Sequence, residues 1–276
     1  MTAILFLCAA KPAPAVAEGL TVSIVPQQSA TRLAKVWTPL LKEVSAQSGE
    51  LLTFVTAKDI PTFEACLAKG AYDIAYMNPY HYSVFHNAPG YRAFAKQKDK
   101  QLRGLIVVRQ DADIGALKDL RGETIAFPSP AAFGASIIPR AEMKSQGINF
   151  TPKYVKSHDS VYRAVSAGLL PAGGGVVRTF NTVPKDVRDT LKIIYRTSGY
   201  TPHAFAAHPD VAADKLARIA DSLTGLADSR PELLADLGMS GIVSAVDADW
   251  DDVRALGLER NHTEIVEDGD VICHSG

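Results

Sequence analysis

Five stretches of the chain are rich in hydroxyls, amides and imidazoles and poor in carboxylates. They are Pro26-Gln27-Gln28-Ser29-Ala30-Thr31, Asn78-Pro79-Tyr80-His81-Tyr82, residues 128–134, Lys156-Ser157-His158-Asp159-Ser160, and residues 196–203 ending at His203. Side chains of these types donate hydrogen bonds to oxygen without needing to make or break a bond, so their common chemistry is the holding of a small oxyanion. Several stretches open onto predicted helices, whose first N–H groups and partial positive charge attract anions. Ser129, just ahead of a helix that begins near Ala131, is the clearest such position, followed by Ser157 and Ser160. His158 can donate to an anionic oxygen. Each serine is equally readable as a plain helix N-cap. Arg178, which follows the glycines at 173–175, can supply a positive charge to a ligand or form a salt bridge, and both readings stay open.

Chemistry that breaks bonds is poorly supported. The sequence contains no G-x-S-x-G elbow, Walker A loop, H-E-x-x-H pair or G-x-G-x-x-G fingerprint. The run Ser157-His158-Asp159 has the types of a catalytic triad, but adjacent residues do not converge in that geometry. Gly173-Gly174-Gly175 precedes a predicted strand, not a helix, and reads as a tight turn or a close backbone contact. His81 with His86, and His203 with His208, are five apart, which puts neither pair on one helix face. No metal site and no cofactor is expected.

The five stretches share a place as well as a composition, since each follows a predicted strand. Strands are expected at 20–25, 51–56, 72–77, 102–109, 124–127, 151–155 and 192–195, with helices at 30–48, 60–69, 133–146, 160–167, 212–227 and 231–237. Pro39 should start a new turn or kink the first of these helices. Strand and helix alternate as they do in parallel sheets with crossover helices, and ligands in such sheets sit beyond the carboxyl ends of the strands. Gln27 and His203 become candidates on that ground, as do Asn78 and Tyr80.

Composition narrows the class. The 276 residues are 47% hydrophobic and 21% charged, enough to bury a real core, and the net charge of -1 gives no basic surface for nucleic acid. Residues 3–10 are apolar and Ala15-Val16-Ala17 forms an A-x-A site, so residues 1–17 resemble a secretory signal peptide, although a charged start is missing and Lys11 interrupts the run. Leu7 argues against lipidation at Cys8, and no later stretch reads as transmembrane. The three cysteines, Cys8, Cys66 and Cys273, form no C-x-x-C pair; neither a disulfide framework nor a zinc site is expected, and Cys66 reads as a small buried hydrophobe. The acidic end, residues 261–276, is expected to be a flexible tail.

Several segments together resemble the phosphate/phosphite/phosphonate-type substrate-binding proteins of ABC transporters. They are residues 71–79 (AYDIAYMNP), 119–122 (DLRG), 125–130 (IAFPSP), 157–162 (SHDSVY), Ala164-Val165, Gly168 and Ala172-Gly173. The resemblance spans residues 20–260 and implies an α/β, two-lobed type 2 periplasmic-binding-protein fold, each lobe a central mostly parallel sheet flanked by helices. It implies a first lobe from 18–108 and 202–260 and a second from 109–201, with chain crossings near 108–113 and 196–202. Tyr76, Asn78 and Tyr80 would face the ligand from one lobe, and Ser129, Ala131, Ser157 and His158 from the other. Two departures stand out. The loop after residue 127 has one hydroxyl where several are usual, and Pro171 stands where an acidic residue is common, which disfavours an amino-substituted phosphonate. The expected function is that of an exported, periplasmic, non-enzymatic monomer that passes a phosphorus oxyanion to a membrane permease. A ligand-sensing subunit for a signalling kinase would look the same, and an enzyme on a related two-lobed fold is the more distant reading. A transcription regulator would need a helix-turn-helix for which the residues before the first strand leave no room.

Overall fold

The computed structural model describes residues 19–258 together with Val271 and Cys273. The signal-like residues 1–17 and most of the tail at 261–276 lie outside the described residues. In chain order the elements are β1 (Leu20–Ile24), α1 (Ala30–Ser48), β2 (Leu52–Thr56), α2 (Ile60–Ala68), β3 (Ile74–Met77), α3 (Pro79–Phe85), β4 (Arg92–Gln97) and β5 (Gly104–Arg109). Then come β6 (Thr124–Phe127), a π-helical turn Phe133–Ile137, α4 (Ile138–Ser145), β7 (Thr151–Tyr154), α5 (His158–Ser166), β8 (Ala172–Val176), α6 (Val177–Thr182) and α7 (Lys185–Arg188). The chain continues with β9 (Leu191–Arg196), β10 (Ala204–Ala207), α8 (Ala213–Ser229), α9 (Pro231–Asp236), β11 (Ile242–Ser244) and α10 (Asp251–Arg254).

The first helix shows how sequence becomes packing. Ser29 caps α1 by accepting from the Arg32 N–H, and Gly49 ends it in the left-handed conformation at φ 75 that glycine adopts without strain. Leu33, Trp37, Leu40, Leu41 and Val44 recur at helical spacing and are buried against the first sheet. Pro39 does not start a new helix: a single helix runs through it.

Two sheets make two lobes. The first has the order β11-β4-β10-β3-β1-β2 and the second β7-β6-β8-β5-β9. Both are mixed, not mostly parallel: β1 is parallel to β2 and β3, while β10 runs antiparallel to β3 and β4. In the second lobe β6 is parallel to β7 and β8, and β5 is antiparallel to β8 and β9. β5 and β10, the strands that follow the chain crossings, run antiparallel to both of their neighbours, and β11 at the sheet edge is antiparallel to β4. The first crossing falls between Gln97 and Gly104, earlier than the expected 108–113, because β5 already lies at the heart of the second sheet with Leu105–Val108 fully buried. The return lies between Arg196 and Ala204. The two crossing segments are tied to each other: Leu102 N donates to the Tyr200 carbonyl at 2.7 Å and Tyr200 N to the Leu102 carbonyl at 3.0 Å.

The glycine run is not a turn. Residues 172–176 form β8, and a helix, α6, follows at once. The glycines serve close approach: a Cβ on Gly174 would stand 2.0 Å from the Ala135 carbonyl oxygen, and one on Gly175 would stand 2.1 Å from the Tyr162 hydroxyl. With hydrogen at those positions the π-helical turn lies against the sheet and Tyr162 reaches the Val176 backbone.

Cys66 is more than a buried hydrophobe. On α2 it is fully buried and forms a disulfide with Cys273, with the Cα atoms 5.5 Å apart, which corrects the expectation of no disulfide. A single bridge between residues 207 apart leaves no spacing signature in a sequence. The bridge fastens the end of the chain to the first lobe, and a cross-link of this kind contributes roughly 2–4 kcal/mol by restricting the unfolded chain. Cys273→Ser is therefore expected to lower the urea midpoint, as should thiol reductant on the wild type. An unchanged midpoint in both would show that the bridge contributes nothing.

Candidate functional site

The carboxyl ends of β1 and β3 in the first lobe face the end of β8 and the start of α6 in the second, and a cleft of about 480 Å³ opens between them. Gln27, Tyr76, Val177, Arg178, Pro202 and His203 line it, with the first crossing segment along one side. A neighbouring recess of about 310 Å³ continues the cleft past Gln28, Arg32 and Lys100. A groove of about 400 Å³ along α4 is of similar size, but it is lined by Ile137, Arg140, Lys144 and Leu258 and lies away from these strand ends.

Gln27 joins the lobes. Its Oε1 accepts from the Arg178 guanidinium, and its Nε2 lies 3.0 Å from His203 Nε2. An arginine only donates, so the amide is oriented with its oxygen toward Arg178 and its NH2 toward the histidine. His203 Nε2 must then accept, which makes the ring neutral with its proton on Nδ1. Burial holds the His203 pKa well below 6.5, with Arg178, His81 and His158 adding to the effect. The ring stacks on Tyr76, centroids 5.0 Å apart and planes 17° from parallel. Burial also raises the Tyr76 phenol above its usual range, partly offset by Arg178.

The second lobe contributes His158, 1% exposed at the first position of α5, where Ser157 is the N-cap. Its Nδ1 lies 3.0 Å from Thr179 Oγ1, and its Nε2 is buried without a hydrogen-bond partner among the described residues. Burial, with Arg178 second, pushes its pKa down to about 3. Ser129 Oγ is buried in the loop after β6 and also has no partner among the described residues. An unsatisfied buried hydroxyl or imidazole nitrogen is costly, and the His158 imidazole lies within electrostatic reach of the Arg178 guanidinium. Those groups are neutral donors around a cation, an arrangement that suits an anion.

Other candidates sit differently. Asn78 caps α3 through the His81 N–H at 2.8 Å, and its Nδ2 donates to the Ala131 carbonyl across the lobes at 2.9 Å. Ala131 thus meets Asn78 through its backbone. Ser157 is a half-buried cap that accepts from Ser160 N at 3.1 Å and shares a hydrogen bond with the Ser160 hydroxyl at 2.9 Å. Tyr80 is fully buried in the first lobe beside His81 and does not line the cleft. The structure therefore gathers Gln27, Tyr76, Arg178 and His203 in the lining of the cleft, brings His158 within electrostatic reach of Arg178, and leaves Ser129, Ser157 and Tyr80 outside that lining.

Three further features lie outside the candidate residues. Thr179 and Tyr162 support His158, and Thr179 is hidden in a helix that follows an uncapped strand end. His81 is buried with Nδ1 unpartnered among the described residues, and its Nε2 lies 3.7 Å from Glu64 Oε1, beyond hydrogen-bond range; burial pushes its pKa to about 3. Across the lobes, Gln28 donates to Thr182 Oγ1 at 2.8 Å and Arg32 to the Thr182 carbonyl. Among the described residues no group of three histidines, cysteines or acids could hold a metal ion, and no helix is long and apolar enough to cross a membrane.

The family described as the periplasmic phosphonate substrate-binding protein of ABC transporters matches residues 22–250. The phosphate-import protein PhnD of Mycolicibacterium smegmatis is 22% identical over 88% of each chain. The binding-protein component of an ABC phosphonate transporter from Pseudomonas aeruginosa superposes with a TM-score of 0.78 at 17% identity, covering 86% of this chain and 85% of that one. PhnD1 of Prochlorococcus marinus, solved with methylphosphonate, gives 0.79 at 16% identity, covering 86% and 96%. The two solved structures share the two-lobed fold.

Proposed function

Because the chain belongs to the periplasmic phosphonate substrate-binding family of ABC transporters, we propose that it captures phosphate, phosphite or a small alkylphosphonate between its lobes and passes it to a membrane permease. The observation that carries this reading is the Arg178 guanidinium held by Gln27 in the lining of the cleft, together with the buried His158 Nε2 and Ser129 Oγ, which have no partner among the described residues. The relatives supply the ligand class: one is named for phosphate import and another was solved with methylphosphonate. Arg178 provides charge, His158 and Ser129 provide hydrogen bonds, and Tyr76 stacked on His203 forms an apolar wall for a small substituent. The lobes, divided at the crossings 98–103 and 197–203, close on the ligand by a hinge motion.

The same reading makes the protein a monomer that binds without turnover. At His158 the hydroxyl–imidazole contact is with Thr179, which is fully buried and so is not offered to a ligand as a nucleophile, and the His203 imidazole is held by Gln27. Export is supported by the signal-like residues 1–17 and by the Cys66–Cys273 disulfide, since disulfides persist in oxidising compartments such as the periplasm.

Calorimetry against phosphate, phosphite, methylphosphonate and a sulfonate is the test. At least one phosphorus oxyanion is expected to bind at micromolar Kd or tighter, about −8 kcal/mol, with no hydrolysis of a phosphoester panel. Silence from all the phosphorus ligands would remove the oxyanion reading, and turnover lost in His158→Ala would replace it with an enzyme.

A further inference from the structure

Behind the cleft the second lobe holds a chain of three buried side chains. His158 starts α5, Tyr162 lies one turn further along it, and Thr179 faces both from α6. Thr179 Oγ1 lies 3.0 Å from His158 Nδ1, 2.8 Å from the Tyr162 hydroxyl and 3.1 Å from the Val176 carbonyl oxygen. The Val176 N–H donates to the Tyr162 oxygen at 3.2 Å. Thr179 and Tyr162 are fully buried and His158 is 1% exposed.

The protons in this chain can be placed in two ways. A threonine hydroxyl has one hydrogen and two lone pairs. In the first arrangement His158 Nδ1–H donates to Thr179, Thr179 donates to the Val176 carbonyl, and Tyr162 donates to the second lone pair of Thr179. Nε2 of His158 is then a bare acceptor. In the second, Thr179 donates to Nδ1 and Tyr162 donates to Thr179 or to the Val176 carbonyl. Nε2 then carries the hydrogen. Only hydroxyl rotation and the site of one imidazole proton separate the two, and no heavy atom moves.

We propose that Thr179 is a specificity-determining positioning residue: it aims His158 Nε2 at the ligand and lets that nitrogen either donate to an ionised oxygen or accept from a P–OH. The inference rests on the oxyanion reading above. It means that the site takes both the monoanion and the dianion of a phosphorus oxyanion, because His158 changes tautomer where a fixed donor would select one form. The surroundings agree. Arg178 on α6 is a permanent cation, His203 from the first lobe already accepts from Gln27, and on α5 itself Asp159 and Tyr162 are the titratable neighbours. Burial raises the Tyr162 phenol above its ordinary range, so it stays protonated, and burial keeps the His158 ring neutral, which leaves two tautomers and no imidazolium near neutral pH.

Two measurements on the full chain test this. In ligand-free protein, long-range proton–nitrogen spectra report the tautomer of His158. Thr179→Val keeps the shape and removes the hydroxyl; it is expected to shift the imidazole nitrogens toward a single tautomer, and Thr179→Ser to restore the wild-type spectrum. In binding, the methylphosphonate Kd is read near pH 5.5 and near pH 8.5, on either side of the ligand's second ionisation. The wild-type values should agree within about threefold, whereas Thr179→Val should separate them by about tenfold, the equivalent of one hydrogen bond, and Thr179→Ser should bring them together again. Equal weakening by Val and Ser at both pH values would reduce Thr179 to a packing role and overturn the proposal. Unchanged spectra with intact binding would also overturn it while sparing the ligand reading. Shifted spectra in a protein that binds no phosphorus oxyanion would refute the ligand reading and, with it, the specificity role.

Discussion

Arg178→Gln is expected to weaken phosphorus-oxyanion binding by about 100- to 1,000-fold, or roughly 3–4 kcal/mol. Closure of the lobes removes water from the anion, so a charge inside the cleft must be matched by charge or lost. The imidazoles of His158 and His203 are held neutral by burial and can offer hydrogen bonds but no formal charge. In the proposed site Arg178 would supply the charge, and Gln27 holds its guanidinium from the opposite lobe. Leaving an anion in a desolvated site without its counter-charge is the costly case, whereas the ion pair as a whole contributes less than its removal suggests. Arg178→Lys should recover only part of the loss, because an ammonium cannot reproduce the planar fork of a guanidinium. Gln27→Ala should cost about tenfold, since it orients the cation without carrying charge. Titration calorimetry with phosphate and methylphosphonate gives each number, and ligand-free thermal unfolding shows whether the variants are folded. Binding by Arg178→Gln within about threefold of wild type would move the charge centre elsewhere, with Arg32 and Lys100 in the adjoining recess as the next positions to examine.

Much of this arrangement was legible before any coordinates. The alternation of apolar runs located β1 to β3 and β5 to β7, and a ligand site at strand ends follows from topology alone. That reasoning singled out Gln27 and His203, whose side chains lie 3.0 Å apart although their positions differ by 176 in sequence. It could not see β4, β10 and β11. β4 has charged or polar residues at both ends, β10 is the four-residue run AFAA, and β11 has three residues, so none shows a sustained period of two. These are antiparallel strands whose stability comes from neighbours far away in the chain. The same blindness misplaced the first crossing, because a strand's sequence shows that it is buried and not which sheet buries it.

Of the two readings of the glycine run, the close backbone contact holds and the tight turn does not, and Thr179 had no sequence signal. Three glycines between a proline-containing turn and Val176 look like a loop, because glycine is disfavoured in strands unless something presses on the backbone. What presses is the Ala135 carbonyl and the Tyr162 hydroxyl, both distant in sequence. Once residues 172–176 are a strand, Val177 starts a helix, and Arg178 and Thr179 are adjacent residues with different tasks. Arg178 reaches across to Gln27, while Thr179 stays in the second lobe and holds His158. Serine 157 shows the opposite outcome: of its two readings, ligand donor and N-cap, the described hydrogen bonds are those of a cap.

The buried histidines make a second large effect, a loss of stability in mild acid. His81 and His158 have pKa values near 3 in the folded chain, and His203 lies well below 6.5. In the unfolded chain each returns to about 6.5. Between these limits the unfolded state binds more protons than the folded one, so stability rises with pH and falls as the solution is acidified through the unfolded value. From pH 7.5 to pH 5 each ring with a folded pKa near 3 costs roughly 2 kcal/mol, about 4 kcal/mol for His81 and His158 together, and His203 adds to the loss. This is a large share of the 5–15 kcal/mol typical of a folded protein. The lowered carboxylates work in a different window: Glu50, Asp111, Asp119, Asp214, Glu232 and Asp249 have folded values below 4.5 or 3.8, so the stability they add is lost only as pH falls below about 4.5. Urea unfolding at pH 7.5 and pH 5 therefore isolates the imidazoles. The midpoint should drop steeply between the two, and His158→Asn should reduce the difference between the two pH values by roughly 2 kcal/mol whatever it does to stability at either one. Equal midpoints at both pH values would mean that these rings take up protons in the fold as readily as in the unfolded chain, and at pH 5 imidazolium ions beside Arg178 would then replace the neutral ring on which the tautomer exchange at His158 depends.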